Sequence, residues 1–134
     1  DDNSKDNSLD VIKKFTHVKT IQNKIQTKYG SLNQMNAFKE SVKLSTGDII
    51  FFLDSDDYFK KDKVEKIINF FLENKEKKIV FDFPIILKEN RKFNITMNKN
   101  FFNTYWGFTH PTSCISIRKE FINEVFDSII NDTP

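Results

Sequence analysis

Three aspartates stand together in Asp54-Ser55-Asp56-Asp57, directly after the uninterrupted apolar run Ile49-Ile50-Phe51-Phe52-Leu53. Carboxylates this close repel one another, so they need a cation or hydrogen-bond donors. Alternate side chains such as Asp54 and Asp56 can share one hard divalent cation. Mg²⁺ and Mn²⁺ favour carboxylate oxygens together with ligand phosphates. An apolar run without alternation suits a strand buried on both faces, as in a parallel sheet. Such a strand delivers its acidic end to the carboxyl edge of the sheet, where open α/β sheets bind ligands.

Other chemistry competes for the same residues. The cluster could be a solvated turn with Asp57 or Asp62 capping the next helix. A calcium loop would place Asp54, Asp56, Asp62 and Glu65 at its first, third, ninth and twelfth positions. That reading fails, because Phe59 stands where the loop needs Gly, Tyr58 stands at the fifth position, and a strand precedes the run. A phosphatase of the haloacid dehalogenase type would use Asp54 as nucleophile and Asp56 beside it. Tyr58 occupies the place where that pattern usually has Thr or Val.

The elements that must position these residues follow from periodicity. Ser8 can cap a short helix with Leu9, Ile12 and Phe15 as its apolar face. A short strand is expected over 18–21 and a polar loop over 24–30. A helix over 31–45 would bury Leu32, Met35, Phe38 and Val42 and end on a left-handed Gly47. A third helix over 61–74 carries the stripe Val64, Ile67, Ile68, Phe71 and Leu72. Segments 79–87 and 92–97 flank a turn and read as a hairpin. A strand over 113–117 and a closing helix over 119–130 complete an α/β sandwich, its sheet mixed and mostly parallel.

Composition narrows the class. The 134 residues allow one domain with a real core. Hydrophobic residues at 38% and charged residues at 30% fit a globular chain. A net charge of +2 is too small to argue for nucleic acid or a membrane surface. Cys114 is alone, which excludes an intrachain disulfide and agrees with a reducing compartment. No apolar run approaches the length of a membrane span. The fifteen phenylalanines belong mostly to a core.

A second acidic motif lies upstream. The loop Asp1-Asp2-Asn3-Ser4-Lys5-Asp6-Asn7-Ser8 resembles the Asp-Asp-Gly-Ser-x-Asp-x-Ser/Thr loop of family 2 glycosyltransferases, which have the GT-A fold. The stretch from Gly47-Asp48 through the apolar run to Asp57 resembles that family's strand into its Asp-x-Asp motif. Tyr29-Gly30-Ser31-Leu32-Asn33-Gln34-Met35-Asn36-Ala37 resembles the segment that opens the intervening helix, with Met35 where many relatives have Arg. The stretch His110-Pro111-Thr112-Ser113-Cys114-Ile115-Ser116-Ile117 is similar, more loosely, to the later strand beneath the acceptor site.

The resemblance implies a single domain. Residues 1–60 would form the donor, nucleotide and metal half, and 61–134 the start of the acceptor half. It implies a central piece of the family's domain, without the first strand and the C-terminal region that carries the general base. By that resemblance Asp2 contacts the nucleobase, usually uracil, and Asp54 lies near the ribose and donor sugar. Asp56 is the main ligand of Mn²⁺ or Mg²⁺, with Gln34 and Asn36 near the donor. Trp106 and His110 are candidates for the acceptor pocket, against a core role for the one Trp and an ordinary one for the His. Asp127 and Asp132 lie in the neighbourhood of the base but outside a recognisable motif, so the base stays unassigned.

The implied reaction is inverting transfer of a sugar, from a UDP-sugar above all, to an acceptor hydroxyl. The implied setting is surface polysaccharide or glycolipid synthesis on the cytoplasmic face of the membrane, with peripheral membrane association and no nucleic acid. The alternatives left open are the phosphatase and a binding module that keeps the fold without catalysis.

Overall fold

The computed structural model describes residues 1, 3–23, 27–88, 91–94 and 111–131. The chain divides into two compact units, Asp1–Thr46 and Gly47–Pro134.

In the first unit, Asp6 accepts the Ser8 N–H through its carboxylate at 2.9 Å, and helix α1 (Ser8–Ile12) follows. Residues 18–21 form no ladder. The Asp1 nitrogen donates to the Ile21 carbonyl at 2.8 Å, and the Asn23 N–H donates back to the Asp1 carbonyl at 2.9 Å. Helix α2 (Gly30–Leu44) lies one residue earlier than the periodicity predicts. The loop before it is held by Asn33, whose buried amide uses both ends. Its Oδ1 accepts from the Thr27 N–H and hydroxyl, each at 2.8 Å, while its Nδ2 donates to the Thr27 carbonyl at 3.1 Å. A buried amide must be satisfied in this way, because an orphaned polar group costs far more than the bond contributes.

Two expectations for α2 are corrected. Of the predicted stripe, Val42 is buried and Phe38 half-buried, whereas Leu32 and Met35 are each 45% exposed. The helix also stops without a left-handed glycine. Ser45 turns to extended backbone (ψ 150°), its N–H bonding the Ser41 carbonyl at 3.0 Å and its hydroxyl the Val42 carbonyl at 2.7 Å. With the last carbonyls satisfied by Ser45, Gly47 has no need of a positive φ, and among the described residues no glycine has one.

In the second unit, strand β1 (Ile49–Phe51) is followed by helix α3 (Lys63–Glu73) and strand β2 (Ile79–Phe81). The predicted 79–87 strand is interrupted at Asp82-Phe83-Pro84. After this break, β3 (Ile85–Lys88) and β4 (Arg91–Asn94) pair in a separate antiparallel hairpin. A single 3-10 turn, Thr112–Cys114, leads into β5 (Ile115–Arg118), and α4 (Lys119–Asn131) ends the described chain.

The sheet order is β1-β5-β2, and both pairings are antiparallel. The expectation of a mostly parallel sheet is therefore corrected among the described residues. The apolar run was the reason for it, yet β1 is only half-buried and Leu53 is 50% exposed. Continuous apolarity reports what a strand could bury and says nothing of its neighbour's direction. β1 and β2 do run the same way, joined through α3, with β5 inserted between them in reverse.

The core of this unit is Ile67 and Phe71 from α3, Cys114 and Ile117 around β5, and Ile122 from α4. Phe71 is 1% exposed. Arg118 locks α3 to β5. Its guanidinium lies 4.9 Å from the Phe71 ring and donates to the carbonyls of Phe71 at 2.8 Å and Lys77 at 2.9 Å. A cation at a helix C-terminus also complements the helix dipole.

Candidate functional site

The β1–β5 ladder positions the acidic loop. Phe51 pairs with Ser116, and Phe52 extends the pairing with a 3.4 Å bond to the Ile115 carbonyl. Asp54 then opens a turn closed by the Asp57 N–H on the Asp54 carbonyl at 3.1 Å. The Asp54 N–H donates to the Ser113 hydroxyl at 2.8 Å, and the Thr112 side chain hydrogen-bonds the Asp54 carboxylate. Asp54 is half-buried, whereas Asp56 and Asp57 are exposed.

Electrostatics single out Asp54. Burial, followed by the neighbouring charges of Asp57 and Asp56, pushes the Asp54 carboxyl above its ordinary value, with the Thr112 bond opposing the shift. The sign for stability follows. With a raised pKa the folded state holds this proton more tightly than the unfolded chain does, so charged Asp54 costs stability as pH rises from 3.8 upward. In metal-free buffer, Asp54→Asn should therefore melt higher than wild type at neutral pH. The advantage should fade as pH falls toward 3.8 and be gone below it, where both states are protonated. Thermal melts across pH in EDTA check this, and equal melting at neutral pH would contradict it.

The same crowding bears on a cation. Among the described residues, no three His, Cys, Asp or Glu side chains converge as a closed cage. Asp54 and Asp56 are the residues that could hold a divalent ion of the kind that takes one or two protein carboxylates and draws its remaining ligands from phosphate oxygens. Asp62 does not join them. It pairs with Lys66 one helical turn on, at 2.6 Å, and this pair holds its carboxyl below the usual range.

The acidic loop borders a cleft of about 750 Å³, within the range of small-molecule sites. Asp56 and Tyr58 line one side, Asp82 and Pro84 another, with Lys63 and Ser113 also in its wall. Lys63 is 13% exposed and serves three partners. Its ammonium donates to the Ser113 carbonyl, lies 2.8 Å from Asp82 Oδ2, and sits 4.3 Å from the centre of the Phe59 ring. Cys114 lies beneath, its thiol hydrogen-bonded to Asp82. Lys63→Met should lower stability by about 1–3 kcal/mol, between the values for exposed and fully buried ion pairs, because it leaves Asp82 half-buried without its cation. Urea unfolding measures the loss, and an unchanged midpoint would contradict it.

Of the residues singled out from sequence, Asp2, Trp106, His110 and Asp132 lie outside the described residues. Gln34 and Asn36 are exposed on α2 in the first unit. Asp54 and Asp56 come together in the second. Asn3, which occupies the glycine position of the upstream acidic motif, has φ 63°, a left-handed conformation that Asn tolerates better than most residues. Sequence reasoning missed Lys63, Asp82, Thr112 and Ser113 as parts of this site. Lysines and aspartates are too common here to single out, and the contact of Ser113 with Asp54 spans 59 residues.

Comparison with known proteins adds a family. The sequence model described as "Glycosyl transferase family 2" matches residues 1–129. The chain is similar to a protein of Haemophilus influenzae named "Uncharacterized glycosyltransferase". The two are 36% identical over 76 residues, covering 55% of this chain and 29% of that relative. The match thus spans less than a third of the relative's length. No solved structure matches the chain. With the family match reaching from the upstream acidic motif into α4, the phosphatase reading of Asp54 is left without support.

Proposed function

This chain belongs to glycosyl transferase family 2, and from that premise we propose that the protein transfers a sugar from a UDP-sugar to an acceptor hydroxyl, with inversion, at the cleft beside Asp54 and Asp56. The observation that carries this reading is the acidic loop itself. Asp54 is tied to the turn before β5 through its backbone and its carboxylate, while Asp56 stands exposed in the cleft wall.

In this reading Asp56, helped by Asp54, would hold Mn²⁺ or Mg²⁺ for the donor's diphosphate. When bound, such an ion supplies Lewis-acid neutralisation of the charge that gathers on the departing nucleoside diphosphate. The chain's own residues bind and orient. Asp2 would accept from the nucleobase, and Gln34 and Asn36 would contact the donor. Asp54 would take the ribose or donor-sugar hydroxyls, for which a half-buried, backbone-anchored carboxylate is well suited. Trp106 and His110 would face the acceptor, a glycan or glycolipid. The setting that suits such a reaction is surface polysaccharide or glycolipid synthesis at the cytoplasmic face of a membrane. Among the described residues no helix is long and apolar enough to cross one. Any association with the membrane is proposed as peripheral.

The test is release of the free nucleotide (UDP, GDP or CMP) from UDP-, GDP- and CMP-sugars by the full chain, with Mn²⁺ and with EDTA, in the presence of a glycan panel. Metal-dependent turnover of a UDP-sugar that Asp56→Asn removes is expected. Turnover that is equal in EDTA and in the variant would overturn the reading.

A further inference from the structure

The β1–β5 register continues past the point where the ladder stops. Ile49 faces Arg118 and Phe51 faces Ser116, so three residues further along Asp54 falls opposite Ser113. At that point β5 has given way to the turn Thr112–Cys114, closed by the Cys114 N–H on the Pro111 carbonyl at 2.8 Å. A hydroxyl takes the place a ladder carbonyl would fill, and the Asp54 N–H donates to Ser113 Oγ at 2.8 Å. The carbonyl of Ser113 is engaged as well, by the ammonium of Lys63 at the start of α3. On the far side the Cys114 carbonyl accepts the Asp82 N–H at 3.0 Å. Ser113 is 6% exposed, and its neighbour Thr112 bonds the Asp54 carboxylate. The turn therefore grips Asp54 at its amide and at its side chain, and is itself held by α3 and by the segment after β2.

We propose that the turn Thr112–Cys114 is a positioning clamp for the acidic loop, and that Ser113 is the positioning residue that sets Asp54 for donor binding. This rests on the donor-site reading above. Ser113 acts through Asp54, whose backbone its hydroxyl anchors. A loop of three aspartates, left to itself, would relax outward under its own repulsion. The hydroxyl opposes that drift by anchoring the backbone at the first of the three.

Two measurements on the full chain test this. Hydrogen exchange should show the Asp54 amide protected in wild type and exchanging at least about fivefold faster in Ser113→Ala, the effect of losing one neutral hydrogen bond. Titration of UDP in Mn²⁺ should show affinity about tenfold weaker in Ser113→Ala, with recovery in Ser113→Thr, which keeps the hydroxyl. Thr112→Val, of similar shape, should weaken binding in the same direction and stands in if Ser113→Ala fails to fold. Unchanged Asp54 exchange in Ser113→Ala would overturn the clamp, as would weakened UDP binding that Ser113→Thr does not restore. Should wild type bind no UDP, the donor reading fails by itself, and the exchange rates still decide whether the turn holds the loop.

Discussion

Asp56→Asn should reduce sugar transfer by roughly 10²- to 10³-fold, the rate equivalent of the several kcal/mol that a cation on a leaving diphosphate supplies. The fold should be indifferent to the change. Asp56 is exposed, and among the described residues it makes no hydrogen bond or ion pair. Its charge instead acts against Asp54, so removing it relieves repulsion within the loop. Loss of activity with an equal or slightly higher melting temperature separates a ligand role from a structural one. A variant that retains transfer at the wild-type rate would remove Asp56 from the metal site.

Cys114 should react with an alkylating reagent about 10³-fold more slowly in the native protein than in urea at pH 8. The thiolate is the reactive form. Burial, the charge of Asp82 and the hydrogen bond to Asp82 push the thiol from 9.0 up to about 12, against a smaller opposing effect of Lys63. Each unit of that rise costs about tenfold in thiolate at pH 8. The side chain is also only 4% exposed, so access adds to the protection. Labelling followed by mass spectrometry checks the ratio. Comparable rates in both states would mean that the packing of Cys114 beneath Lys63 and Asp82 is wrong. The expected inertness agrees with a small buried side chain and leaves the thiol no part in the chemistry of the cleft.

The helices were legible because their apolar spacing is long and regular. Of the stripe expected on the third helix, Ile67 and Phe71 are buried, whereas Val64, Ile68 and Leu72 are exposed, so the spacing gave the helix and only part of its inward face. The strand before the acidic cluster was legible as an element, but not its neighbours. Ile49-Ile50-Phe51 carries no information on whether β5 runs with it or against it, and a parallel partner was the wrong inference. Residues 79–87 look like one strand until Pro84 is considered. Proline lacks the N–H that a ladder requires, and the chain breaks there. Gly47 looked like a helix stop because glycine often is one, yet Ser45 had already satisfied the helix end.

The acidic residues of the site could be found locally, since Asp54-Ser55-Asp56-Asp57 is a contiguous cluster. What holds them could not. Ser113 and Lys63 matter through contacts that join distant parts of the chain, and a serine ahead of an apolar strand carries no local mark of that role. Asn3 illustrates the opposite case. It departs from the glycine of the family loop but keeps the left-handed backbone that the glycine would provide.

The central claim is that the acidic loop is a metal-dependent site for a uridine diphosphate donor. Calorimetric titration of UDP into the full chain, with Mn²⁺ and then with EDTA, tests it most directly. Saturable binding in Mn²⁺ that disappears in EDTA, and is tighter than that of GDP or CMP, is the expected result. UDP binding of equal strength with and without the ion, or preference for another nucleotide, would contradict it.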